Sequence, residues 1–273
     1  MLIRTIVGVV ICIVLLAALI NEYVFAIVFS LAFLLAMNEI DRMLRSKGLR
    51  VFMLPAYIFS ATFAPIYLLS KDFQLNATAI LIALALLLFT TTIMGQVIYG
   101  RNHNESAIYC LLPLAYPLIS ACTLIFIYFG LRERAVGITG TALAILAPMA
   151  ADVFAYFGGV LFGKHKLCPN ISPKKTVEGA IFGVIGGIAM GVVLLFLQNL
   201  WGSDIEWHAM IVLGLLCGIA GQFGDLFASM IKRWADIKDF SSLLPGHGGI
   251  MDRMDSTWAC APIILCYLLV MAY

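Results

Sequence analysis

Apolar residues come in runs of about 18 to 20 that recur along the whole chain between short polar breaks, the length a helix needs to cross a bilayer. The runs predict nine helices, near 4–20, 23–38, 51–70, 77–95, 107–131, 141–163, 177–200, 208–233 and 256–272. Only Asn21 and Glu22 part the first two, which predicts a tight hairpin or one helix that enters the membrane partway. The fold class is therefore all-α, a polytopic integral membrane helix bundle of about nine transmembrane helices.

Composition agrees. The chain is 63% hydrophobic and 12% charged, against about 45–50% apolar in soluble proteins. A single membrane domain over residues 1–273 leaves no room for a soluble one. The net charge of +2 is too small to suggest nucleic-acid binding. Seven cysteines, an odd number without a CxxC pair, support neither a disulfide framework nor a zinc site. Arg4 and the apolar stretch to Ile20 could pass for a secretory signal, but no A-x-A cleavage site follows, and a first membrane anchor is the better reading.

Orientation follows from Lys and Arg, which favour the cytoplasmic side. Fourteen of the 17 basic residues fall on one side of the nine-helix topology, and only Lys71, Arg132 and Arg134 on the other. The N-terminus is expected in the cytoplasm and the C-terminus outside. The basic, amphipathic segment 38–50 reads as an interfacial connector that meets anionic headgroups.

The two halves differ. Helices before residue 140 are rich in Leu, Ile, Val and Phe and read as lipid-facing scaffold without a buried acid. Residues 141–273 bring acids, glycines and lysines and are the expected catalytic part. Gly179, Gly183, Gly187 and Gly191 repeat every four residues, a spacing that lets two helices approach closely in lipid.

Three polar groups are candidates for chemistry, all on the expected cytoplasmic side. Asp152 stands alone in an apolar helix, where a charge is costly and by default functional. Ser172-Pro-Lys174-Lys175-Thr176 reads as a helix start, with Ser172 as N-cap and the lysines near N–H groups that attract anions. The third is Gly224–Asp255, dense in both signs of charge. Asp225, Ser229 and Lys232 share a helical face that Gly214, Gly218 and Gly221 continue as a slot. Lys238 and Asp239 follow, then Pro245-Gly-His-Gly-Gly249, then Asp252 and Asp255 one turn apart. Carboxylates, lysines and a glycine-rich turn suit magnesium and phosphate. His247 has no serine elbow beside it, and no Walker A motif is present.

At these residues the sequence resembles the CDP-diacylglycerol synthase (phosphatidate cytidylyltransferase) family. The family signature runs from Ser-x-hydrophobic-Lys-Arg through Lys-Asp to Pro-x-His-Gly-Gly-hydrophobic-x-Asp-Arg-hydrophobic-Asp, and Ser229–Asp255 fits it without a gap. Ser172–Gly179 and Phe162–Leu167 look like the family's too, as do Asp152, Ala155 and Tyr156, although Val153 and Phe154 replace commoner small residues. The motifs cover residues 150–273.

The resemblance implies that CTP and phosphatidate give CDP-diacylglycerol and pyrophosphate with Mg²⁺, at a multi-pass protein of the cell (plasma or inner) membrane whose active site faces the cytoplasm. It implies that Asp225, Ser229 and Asp252 are metal-centre positions, Asp225 and Asp252 holding the metal. Lys175 joins them as catalytic. Lys174, Thr176, Ser172, Lys232, Arg233, Lys238, Asp239, His247, Gly248, Gly249, Arg253 and Asp152 are the expected substrate-binding residues, with backbone amides near Gly248 and Gly249 assisting. The acyl tails would enter near the Gly214–Gly221 face. Whether a monovalent cation joins Mg²⁺, or two chains form a homodimer, is left open by the sequence. Two other readings stand beside this one: a CTP-dependent lipid kinase of the polyprenol or phytol type, which would release CDP, and an ion-coupled transporter using Asp152 and Asp225.

Overall fold

The structure, a computed structural model, describes residues 2–72, 89–98, 109–131 and 133–271. Helix dominates it, as the apolar runs predict, and among the described residues six helices are long and apolar enough to cross a membrane. They are Glu22–Ser46, Leu111–Gly130, Arg134–Phe162, Val177–Trp201, Trp207–Trp234 and Met251–Val270. Most of the helix expected at 77–95 lies outside the described residues; 89–98 are helical. The chain divides into two compact units, Met1–Ala121 with Ile237–Arg253, and Cys122–Asp236 with Met254–Tyr273.

In the first unit, helix Leu2–Ile20 turns directly into Glu22–Ser46. Asn21 caps the second helix, its Oδ1 accepting the N–H of Tyr23 (2.9 Å) and Val24 (3.2 Å). Phe25 stacks on Phe29, and Phe33 meets Phe59 of helix Leu54–Asp72 edge to face. Buried Gln96 ties down the approach to that helix, accepting from Phe52 N–H and donating to the Arg50 carbonyl.

The expected connector at 38–50 is corrected here. The helix continues to Ser46 and ends at Gly48, whose φ of +75° is the left-handed stop that glycine favours. Its acids are not solvated: Glu39 and Asp41 are buried, at 3% and 5% exposure, so this half does hold buried acids. Asp41 accepts from Arg45 Nε at 2.9 Å and from the Tyr57 hydroxyl at 3.0 Å. Burial is tolerated because each carboxylate has donors.

The second unit is a glycine-zipped helix stack. Helix Val177–Leu197 packs on Arg134–Phe162 and on Trp207–Trp234. A Cβ on Gly187 would lie 2.5 Å from the Gly214 carbonyl oxygen, and one on Gly218 3.0 Å from Val184 Cα. The repeating glycines are packing devices, as their spacing implies. The slot expected beside Gly214, Gly218 and Gly221 is filled: backbone of the Val177–Leu197 helix covers the first two, and Pro148 and Ser256 cover the third. Trp201 Nε1 donates to Thr139 Oγ1 at 2.7 Å and fastens the far end.

Candidate active site

The second unit carries the lysine-rich candidate residues. Ser172 does not cap a helix. Ser172–Thr176 is a strand, paired antiparallel with Lys166–Cys168. Thr176 is the N-cap of Val177–Leu197, its Oγ1 accepting Gly179 N–H at 3.1 Å. Ser-Pro supplies extended backbone, and the helix waits for the next hydroxyl able to cap it. Glu178, in the first turn, accepts from the N–H groups of Lys164 and His165 and meets His165 Nδ1 at 2.6 Å. The hairpin is thereby tied to the helix that follows it.

Lys175 reaches from this hairpin to helix Trp207–Trp234, where its Nζ lies 2.5 Å from Asp225 Oδ2. Both side chains are about three-quarters buried, at 25% and 28% exposure. Arg233 Nε donates to the Ile171 carbonyl of the same hairpin at 3.5 Å. Ser229 and Lys232 are half-buried on that helix, Lys174 is exposed on the strand, and Asp152 is exposed on Arg134–Phe162. Asp255, to which the sequence assigned no role of its own, is buried at 6% exposure and feels the charges of Asp225, Lys232 and Asp152. Its place one turn beyond Asp252 was the available signal.

The first unit holds the glycine-rich candidate segment: Lys238, Asp239, His247, Gly248, Gly249, Asp252 and Arg253. The turn Leu244–Gly248 closes on itself, Leu244 N–H donating to the Gly248 carbonyl and Gly248 N–H to the Leu244 carbonyl. Gly246 and Gly248 take φ of +77° and +82°, which a side chain would strain. Buried Asp252 holds the turn's flanks, Oδ2 accepting Phe240 N–H and Gly249 N–H at 2.9 Å each. The helix expected from 256 thus begins at Met251. The Gly248 amide donates to the Leu244 carbonyl and the Gly249 amide to Asp252 Oδ2. His247 is half-buried facing Gly8, and its Nδ1 has no hydrogen-bond partner among the described residues. Lys238, Asp239 and Arg253 are exposed.

Among the described residues, six apolar helices long enough to cross a membrane define a class, a polytopic membrane protein, and its candidate residues are carboxylates, lysines and a glycine-rich turn. The described residues contain no cluster of three His, Cys, Asp or Glu able to enclose a metal alone. Magnesium does not require one, since it binds through one or two carboxylates and substrate phosphates. Asp225 and Asp152, both in electrostatic range of Asp255, fit that habit.

The chain belongs to the Cytidylyltransferase family, whose sequence model matches residues 2–271. It is 33% identical over 246 residues to the phosphatidate cytidylyltransferase of Staphylococcus haemolyticus, covering 88% of each chain. The protein of that name from Staphylococcus saprophyticus is 31% identical over 269 residues and 96% of each chain. That from Staphylococcus aureus is 34% identical over 186 residues, 67% of this chain and 66% of its own.

Proposed function

We propose that this chain is a phosphatidate cytidylyltransferase, which transfers CMP from CTP to phosphatidate and forms CDP-diacylglycerol and pyrophosphate. The observation that carries the reading is the unbroken signature Ser229–Asp255 in a member of the Cytidylyltransferase family. The names of relatives similar over most of the chain support it.

The phosphatidate phosphate, a monoester with a second pKa near about 6, is already an anionic nucleophile at pH 7. Its oxygen attacks the α-phosphorus of CTP, and the bond from that phosphorus to the bridging oxygen breaks as pyrophosphate leaves. No strong base is needed; the barrier is the approach of two polyanions. Lys175, fixed by Asp225, presents a positioned cation, and Lys174, Lys232 and Arg233 offer further charge to the phosphate oxygens. Asp225 and Asp252 are assigned the metal from the signature, residue by residue, with Ser229 beside Asp225. Bound there, Mg²⁺ would neutralise phosphate charge and favour pyrophosphate departure. Asp152 and Thr176 are assigned to substrate binding in the same way, with the cytoplasm as the side that supplies CTP.

Purified full-length protein in phosphatidate-containing vesicles, given CTP and Mg²⁺, is expected to release one pyrophosphate per CDP-diacylglycerol formed. Release of CDP with phosphorylated lipid would make it a kinase, and no CTP turnover would overturn the enzyme reading.

A further inference from the structure

One buried carboxylate of the first unit has no part in that reaction. Glu39, on helix Glu22–Ser46, is 3% exposed. Its partners lie more than 200 residues away: Ser241 Oγ donates to Oε1 at 2.6 Å, Ile250 N–H to Oε1 at 3.0 Å, and Met251 N–H to Oε2 at 2.8 Å. Two of these donors are the amides at the start of the final helix, which carry partial positive charge that an anion stabilises. Ser241 lies on the other side of the glycine-rich turn. One side chain therefore grips both ends of the segment that contains His247, Gly248 and Gly249.

The fit also explains a fixed glycine. A Cβ on Gly249 would lie 2.5 Å from both Glu39 oxygens, so the close approach exists because that position lacks a side chain. Asp252 grips the same segment from within, through Phe240 and Gly249 N–H. Five donors from residues 240–251 converge on two carboxylates.

We propose that Glu39 is a positioning residue for the cytidylyltransferase reaction, holding the turn 241–251 and through it the orientation of Asp252. This rests on the proposed function for its catalytic consequence, though not for the clamp itself. Glu39 touches neither substrate nor reacting atoms; it acts through backbone that it fixes.

The test compares full-length wild type with Glu39→Gln, Asp41→Asn and Glu39→Gln/Ser241→Ala in detergent. Glutamine keeps the size but sets an NH₂ group against amide donors. Asp41 is a control on the same helix, equally buried but bonded to Arg45 and Tyr57 instead. Per folded molecule, Glu39→Gln is expected to lower kcat roughly ten- to a hundredfold, the scale of a misplacement of about 1 Å. Asp41→Asn should lower the melting temperature without changing kcat. Adding Ser241→Ala to Glu39→Gln should cost little more, because the two act on one contact.

Hydrogen exchange at Ile250 and Met251 N–H reads the clamp without any substrate, and it should quicken at least about tenfold in Glu39→Gln and stay unchanged in Asp41→Asn. Unchanged exchange, or equal kcat losses in the two single variants, would overturn the proposal. Wild type that shows the exchange effect but releases no pyrophosphate would refute the reaction while the clamp stands.

Discussion

Gly187→Ala tests whether the second unit is closed as the structure has it. The added methyl carbon would lie 2.5 Å from the Gly214 carbonyl oxygen, 2.7 Å from Gly218 Cα and 2.9 Å from Gly218 N. Comfortable contact begins near about 3.5 Å. Every opposing atom is backbone, so no rotamer change can relieve the overlap, and helices Val177–Leu197 and Trp207–Trp234 must part by roughly 1 Å. Overpacking of this kind costs about 1–3 kcal/mol. Alanine recovers less than about 1 kcal/mol through its better helix propensity, so the steric term wins.

A net loss near about 2 kcal/mol corresponds to a fall in melting temperature of roughly 4–8 °C for a chain of this size. Circular dichroism of the detergent-solubilised protein measures it. Turnover should fall as well, because Lys175 leads into one helix and Asp225 belongs to the other. Gly183→Ala is the graded comparison: its closest neighbour is Gln222 Nε2 at 2.9 Å, a side-chain end that can move. A Gly187→Ala protein that melts within about 1 °C of wild type, or above Gly183→Ala, would refute backbone contact between these helices.

Other outcomes follow from single contacts. Asp252→Asn keeps a carbonyl for Phe240 and Gly249 N–H, so the turn should survive while turnover at saturating Mg²⁺ drops at least about a hundredfold; near-normal turnover would remove Asp252 from the metal role. Lys175→Met leaves Asp225 without its partner at 2.5 Å and should lower kcat about tenfold or more, and unchanged steady-state kinetics would show the pair to be structural. His247→Ala should cost no more than about tenfold, and a loss of many orders of magnitude would make it the central base. Trp201→Phe removes the bond to Thr139 and should cost about 1 kcal/mol in a melt with kcat intact.

The helices were legible because lipid forces them to be. A bilayer demands long apolar runs whatever surrounds them, and the glycine repeat at 179–191 carries its packing meaning in its spacing. Polar residues behave differently, because their fate depends on partners that local sequence does not show. Nothing near Glu39 separates it from a solvated acid in a basic, amphipathic segment; its donors lie 202 to 212 residues further on. Ser172 looked like the cap because Ser-Pro has the right local form, yet Thr176 wins once the strand pairing with Lys166–Cys168 extends the backbone before it.

The glycine-rich turn shows the limit most clearly. Glycine density says that something approaches the backbone closely, and a phosphate beside lysines is the natural guess. In the structure what approaches Gly248 and Gly249 is carboxylate, Asp252 from within the turn and Glu39 from a distant helix. Asp252 takes the Gly249 amide and Glu39 the two that follow, while the Gly248 amide bonds the Leu244 carbonyl. In the proposed reaction the substrate's negative charge would then fall to side-chain cations such as Lys175, which the Asp225 carboxylate holds in place, rather than to these amides.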